Sequence, residues 1–320
     1  MELKVLLVFL DGVGLGERNP TINPLARASM PYLDHLLEGR KLTADFAPSQ
    51  GKRFTLLPLD ANLGVGGMPQ SATGQAVILT GRNVPKEIGY HFGPKPNEAI
   101  AEIVSNGNLF RHLNQLRLKT ALLNAYPQRY FDAIASGRRL LSSIPLAVLS
   151  AGLSLKTTHD LYHGDAMSAD FTGQSWRQHL NMPDAPEYSP KQAGNKLYEL
   201  SSRYNFSFFE YWMSDYAGHS QEMDFSCELL ETFDGVLEGL VENWQDEEGI
   251  ILITSDHGNM EDLSTHRHTN NPVPALLIGA VNLREEFAHG LNDLTGITPS
   301  IYHFLNGRHL YPSSGHPGYE

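Results

Sequence analysis

Asp256-His257-Gly258-Asn259 follows the apolar run of residues 250–254 without a break, and His266-Arg267-His268 comes soon after. A carboxylate and an imidazole at the end of a buried run are costly unless they are paired or hold a metal. The arrangement recurs. Residues 5–10 run straight into Asp11-Gly12, and residues 206–213 are followed by Asp215 and His219. Asp215 and His219 are four positions apart, so one helical turn would set both on one face. Mixed carboxylate and imidazole donors suit Zn²⁺ or Mn²⁺ better than Ca²⁺. Asp11, Asp215, Asp256, His219, His257 and His268 are enough for two ions if a nucleophile or substrate completes the shells.

A two-ion site holds its metals roughly 3.5–4 Å apart and clamps the attacking and leaving oxygens of a phosphoryl centre. The nucleophile such a site needs is best supplied by Ser71, in Gln70-Ser71-Ala72-Thr73-Gly74-Gln75, just before the apolar run of residues 76–79. This reads as a helix start, where backbone N–H groups face an anion. Metal contact would also favour the serine alkoxide. Taken singly, Ser71 reads as an N-cap and Asp11-Gly12 as a turn. The weight lies in the joint pattern, since every candidate stands beside a strand end or a helix start. His266 is the alternative to His268.

The elements needed to position these groups are legible. Short β-branched runs alternate with amphipathic stretches, the signature of an α/β sheet covered on both faces. Open sheets of that kind bind ligands at the carboxyl ends of their strands. Residues 5–10, 120–125, 250–254 and 275–278 read as strands. Residues 23–37 read as a helix that Pro31 breaks or restarts. Residues 226–240 carry one apolar stripe, through Leu229, Leu230, Phe233, Leu237 and Leu240. Residues 126–200, with five prolines and little periodicity, read as an irregular elaboration or reduced cap beside the site, within a single domain spanning 1–320.

Composition narrows the function classes. The net charge of -12 over 320 residues argues against a nucleic-acid partner, which usually meets a basic face. It leaves room for a phosphorylated small molecule, because metals supply positive charge locally. A single cysteine, Cys227, allows no internal disulfide. The N-terminal apolar run is too short for a membrane span and lacks a basic start and cleavage site, so the expectation is a cytoplasmic protein with no membrane partner. No residue pattern sets an oligomeric state.

Four segments together resemble the alkaline phosphatase superfamily, in the branch of cofactor-independent phosphoglycerate mutase and phosphopentomutase. They are residues 5–14, with Asp11-Gly12; Ser71-Ala72-Thr73-Gly74-Gln75; Asp215-Tyr216-Ala217-Gly218-His219; and Asp256-His257-Gly258-Asn259 with His268-Thr269-Asn270-Asn271-Pro272-Val273-Pro274. Residues 293–307, with Thr298-Pro299, resemble the superfamily's C-terminal helix. The resemblance spans roughly residues 3–85 and 206–307. It implies a three-layer α/β/α sandwich with a mainly parallel sheet. It implies one metal site of Asp11, Ser71, Asp256 and His257, and another of Asp215, His219 and His268 with Ser71 bridging. It also selects His268 over His266 and implies a phosphoserine intermediate on Ser71.

Two departures shape the functional expectation. About 140 residues separate Ser71 from Asp215, too few for the mutases' large inserted domain, and Gln75 stands where the family pattern has histidine. With most of the cap absent, transfer to water should compete with return transfer. The expectation is therefore a metal-dependent phosphohydrolase. A compact phosphomutase of a sugar or glycerate phosphate and a phosphodiesterase are the catalytic alternatives, and a non-catalytic metal-binding homologue is the alternative of another class. A sulfatase would carry x-Pro-x-Arg after its nucleophile, and Ser71 is followed by Ala-Thr-Gly-Gln. Arg53, His91 and His163 are candidate substrate contacts; Lys86, Lys95, Arg138 and Arg139 are further cations for a second anion.

Overall fold

The computed structural model describes residues 3–307; the remaining residues of the 1–320 span, 1, 2 and 308–320, lie outside the described residues. In chain order the strands are β1 (Lys4–Leu10), β2 (Ser49–Gln50), β3 (Phe54–Leu59), β4 (Thr120–Leu122), β5 (Ala125–Tyr126), β6 (Lys156–Thr157), β7 (Phe206–Tyr211), β8 (Gly249–Thr254) and β9 (Val273–Ile278). Seven of them form one sheet in the order β2-β3-β9-β8-β1-β7-β4, while β5 and β6 pair separately. Strands β8, β1, β7 and the edge strand β4 are parallel, and β9, β3 and β2 continue the sheet through antiparallel pairs.

Strands buried on both faces read as near-continuous apolar runs, which is why β1 and β8 stand out in the sequence. Successive side chains alternate between two cores. Val5, Leu7 and Phe9 pack with Ala72, Ala76 and Val77 on one face. Leu6, Val8 and Leu10 pack with Leu230, Phe233 and Leu237 on the other. Each such side chain contributes about 1.5–3 kcal/mol on burial. The result is a three-layer α/β/α sandwich.

Every residue of the helix Ser71–Thr80 is buried. Its apolar surface goes all round, as a helix inside a layer requires. Side chains from neighbouring helices tie it down: Ser143 Oγ donates to the Ala72 carbonyl at 3.0 Å, and Thr298 Oγ1 to that of Ile78 at 2.7 Å. The helix that presents Ser71 is thus fixed at both ends.

Three readings of the sequence change. Residues 120–125 divide between β4 in the main sheet and β5 in the separate pair. Residues 23–37 form two short helices, Pro24–Arg27 and Pro31–Leu36, each opened by its proline. Residues 126–200 are not irregular: they hold the helices Gln128–Ala135, Ser143–Ser150, Thr158–Tyr162, Gln174–His179 and Pro190–Ser201. Most of these helices run two turns or less, too short to show a repeating stripe. Two of them belong to the layers rather than to a cap. Ser143–Ser150 adds Ile144, Ala147 and Val148 to the first core, and Pro190–Ser201 adds Ala193, Leu197 and Leu200 to the second.

Candidate metal centre

Sheet order explains why distant segments meet. Asp11 follows β1, Asp256 and His257 follow β8, and the helix Met213–Ser220, with Asp215 and His219, follows β7. Because β8, β1 and β7 are neighbours and parallel, their carboxyl ends share one edge. Ser71 comes from a helix N-terminus and His268 from the loop before β9. The turn after β1 needs glycine twice over. Gly12 has φ +67°, and a Cβ there would lie 2.5 Å from Asp215 Oδ1.

The seven side chains converge. His257 Nε2 lies 3.0 Å from Ser71 Oγ, 3.4 Å from Asp11 Oδ1 and 3.7 Å from Asp256 Oδ1. Asp215 reaches the other imidazoles, with its Oδ2 3.4 Å from His219 Nε2 and its Oδ1 3.8 Å from His268 Nε2. Two overlapping donor triads result, Asp215–His219–His268 and Asp11–Asp215–His257. Asp215 faces both, a sharing the sequence did not suggest.

The donor set fits a pair of divalent cations. His268 Nδ1 bonds the Pro69 carbonyl at 2.7 Å, and His219 Nδ1 that of His266 at 3.0 Å. Both Nδ1 atoms are therefore the N–H donors, and both Nε2 atoms present lone pairs, yet these lie 3.3 Å apart. Two acceptors aimed at one point require a cation or proton between them. Asp11 Oδ1 and Asp256 Oδ2 are buried without a protein partner. His266 meets the centre through its backbone carbonyl, which separates its role from that of His268.

Charge crowding marks the same place. Burial, with Asp256, Asp215 and Glu210 nearby, holds the Asp11 carboxyl well above the usual range. Burial and Asp215 push Asp256 up to about 7. Burial disfavours ionised Asp215 too, but His219, His257 and Asn259 outweigh it and hold that carboxyl at about 2. Burial keeps His257 and His268 neutral, as ligands must be, whereas the bond to Asp215 raises His219.

Sequence reasoning passed over the supporting residues. Glu261 is buried and accepts from Gly14 N at 2.8 Å, Asn259 N at 2.8 Å, Asn271 Nδ2 at 3.0 Å and the Thr269 hydroxyl. Asn259 Nδ2 donates to Asp215 Oδ1 at 2.7 Å. The acidic position two residues beyond Asp256-His257-Gly258-Asn259 was the available signal.

A cavity of about 820 Å³ opens beside Asp11 and Ser71, and residues of the 126–180 region line much of it. Lys95, Arg138 and Arg139 face it. Arg53 does not. It precedes β3 at the opposite edge of the sheet, where Asp246 holds its guanidinium at 2.7 Å, so the substrate-contact reading of Arg53 is withdrawn. His91 packs beside Asn62 and Val65, and His163 caps the helix Thr158–Tyr162 and stacks on His159; neither lines the cavity. Lys86 sits on the helix Val84–Ile88, also away from it.

Residues 178–308 match the family model described as the metalloenzyme superfamily. The 2,3-bisphosphoglycerate-independent phosphoglycerate mutase of Antithamnion sp. is 33% identical over 129 residues, 38% of this chain and 25% of that protein. The enzyme of the same name from Chromobacterium violaceum is 35% identical over 36% of this chain and 24% of that one. The chain thus spans about a quarter of the length of the curated relatives it matches. Among solved structures, the PH0037 protein of Pyrococcus horikoshii superposes with a TM-score of 0.58 at 18% identity, covering 98% of this chain and 99% of that one. The phosphoglycerate mutase of Leishmania mexicana gives 0.57 at 11%, covering 99% and 97%. The alkaline phosphatase of the Antarctic bacterium TAB5 gives 0.51 at 12%, covering 95% and 98%. The fold is alkaline-phosphatase-like, and the resemblance drawn from the four sequence segments stands. Among the described residues no helix is long and apolar enough to cross a membrane.

Proposed function

We propose that this chain, a metalloenzyme-superfamily segment on an alkaline-phosphatase-like fold, is a metal-dependent phosphohydrolase of phosphate monoesters. Asp11, Asp256 and His257 with Ser71 would hold one ion, and Asp215, His219 and His268 the other. Mn²⁺ or Zn²⁺ bound there would offset charge on the phosphoryl oxygens and lower the pKa of the serine hydroxyl. Ser71 Oγ bonds to phosphorus as the ester P–O bond breaks and the alcohol departs. The backbone N–H groups of Ser71 and Ala72, which open its helix, would face the phosphoryl oxygens. Water then displaces Ser71 and releases inorganic phosphate.

One observation carries the choice of hydrolysis: about 140 residues separate Ser71 from Asp215, too few for the mutases' inserted domain, which leaves the chain little with which to enclose a captive product. A site that must return the phosphoryl group to a captive product would exclude water. The mutase reading keeps its own support, since the curated relatives are phosphoglycerate mutases and Lys95, Arg138 and Arg139 ring the cavity.

The test uses metal-stripped protein refilled with Mn²⁺ or Zn²⁺ and an aryl phosphate monoester. Phosphate release that requires metal and falls at least a thousand-fold in Ser71→Ala is expected. Isomerisation of a phosphoglycerate with little free phosphate would replace this reading with the mutase. Inertness toward monoesters and diesters alike would leave a metal-binding role.

A further inference from the structure

The cavity beside Ser71 is large for a three-carbon ester. Its volume of about 820 Å³ falls in the range, about 300–1,000 Å³, that encloses drug-sized ligands. Two buried polar atoms on its wall lack a protein partner, Gln75 Oε1 and Tyr130 Oη. Their residues are 3% and 8% exposed. Buried polar groups in folded proteins are paired, and an unpaired one costs about 1–3 kcal/mol. A ligand is the partner at hand for both. Gln75 is one helical turn from Ser71, so its acceptor meets a ligand group close to the phosphoryl.

A continuous path leads outward from there. The buried Glu210 carboxylate, another cavity residue, accepts from Tyr126 Oη at 3.4 Å. The Tyr126 and Tyr130 rings lie 4.5 Å apart, and the Arg139 guanidinium stands 5.0 Å over Tyr130. The cavity thus combines hydrogen-bond acceptors, an aromatic wall that Trp176 extends, and cations. Lys95, Arg129 and Arg138 join Arg139 around the same space. Among the described residues none of the four is ion-paired, although the chain carries a net charge of -12. Arg53 and Arg203, away from the cavity, both are. Lys95 and Arg139 act on the buried Glu210 carboxylate and Asp132 lines the same wall, so outside the metal centre four cations face two carboxylates, an excess that points to an anion as a second guest.

We propose that the cavity takes a phosphate monoester whose alcohol half bears a hydroxyl group near the ester, a flat ring and a second anionic group. This is the chemistry of a nucleoside bisphosphate. The proposal rests on the reading of Ser71 as the phosphoryl acceptor. It separates this chain from an enzyme of small glycerate esters, whose substrate would leave the aromatic wall and the buried acceptors unfilled.

The metal-loaded full chain is given three probes: 3-phosphoglycerate, adenosine 5′-monophosphate and adenosine 3′,5′-bisphosphate. The expected kcat/KM rises in that order, the last at least ten-fold above the first. Arg138 is exposed and its side chain bonds only Ser136 Oγ, at 2.9 Å, so Arg138→Ala should fold. It is expected to raise KM for the bisphosphate about ten-fold, and more than for the monophosphate. Hydrolysis of an aryl phosphate with no preference among the three probes, or with preference for phosphoglycerate, overturns the substrate class and leaves the phosphohydrolase reading intact. An inert aryl phosphate defeats that reading instead. Calorimetry of adenosine 3′,5′-bisphosphate with Mn²⁺-loaded Ser71→Ala then decides the cavity: binding tighter than that of phosphoglycerate supports the site, and its absence overturns it.

Discussion

Glu261 coordinates nothing in the proposed centre, yet four donors from three parts of the chain end on its carboxylate. Two are backbone N–H groups, one in the loop after β1 and one in the loop after β8, so it fixes the loops that carry Asp11 and Asp256-His257. In Glu261→Ala those buried N–H groups lose their acceptor, at about 1–3 kcal/mol each. Metal affinity should fall 10–100-fold, as when the outer partners of ligands are removed, and Tm should fall with it. A Mn²⁺ isotherm and a melt on the same sample check this, and wild-type affinity in the variant would show that the loops hold themselves. Glu261 was passed over because an acidic residue in a loop reads as a solvated charge unless its spacing from Asp256-His257 is taken as the signal. The same ambiguity misled for Arg53. Its charge suggested an anion, but Asp246, far away in sequence, claims it. Asp11, Ser71, Asp215, His219, Asp256 and His257 were legible because each lies at or near an element boundary that apolar patterning announces, whereas His268, inside a loop, was singled out from His266 by the family resemblance.

The helix Ser71–Thr80 crosses the end of β8 at very short range. A Cβ on Gly74 would lie 2.7 Å from the Asp256 carbonyl oxygen and 2.8 Å from its Cβ, with a strand end in the way rather than a flexible side chain. Alanine favours a helix over glycine by about 1 kcal/mol. Here contact should reverse that sign. Gly74→Ala should lower Tm and move Ser71 away from Asp256 and His257, cutting phosphate release at least ten-fold with less effect on KM. A variant as stable and active as the wild type would mean that the helix can shift freely. The same scale explains what the sequence hid. Long elements such as β1, β8 and the helix Met223–Asn243 declare their faces over several repeats. Helices such as Thr158–Tyr162 and Gln174–His179 complete less than two turns, so both read as loop, the second of them in the cavity wall.

For the molecule as a whole, the sheet gathers three carboxylates at one edge, and their mutual repulsion makes the fold's affinity for metal depend on pH. Asp256, raised to about 7 by burial and Asp215, is protonated in metal-free protein in mild acid, and burial and Asp256 raise Asp11 in the same sense. His219, raised by Asp215, holds a proton there as well. Each must give up that proton to act as a ligand. The sign follows: affinity is low below these folded-state values, rises as pH climbs through about 7, and levels once the ligands are free of protons. His257 and His268 are already neutral and do not oppose this trend, because burial lowers both. Asp215, held at about 2, is ionised throughout. Adding Mn²⁺ to metal-free protein in weak buffer at pH 6 should therefore release protons, and the release should shrink at pH 8. The Tm increment that Mn²⁺ confers should grow between pH 5.5 and 7.5 and then flatten. No proton release at either pH would mean that the three carboxylates are already ionised together in the metal-free fold, and that the crowding at this edge is relieved by something other than protons.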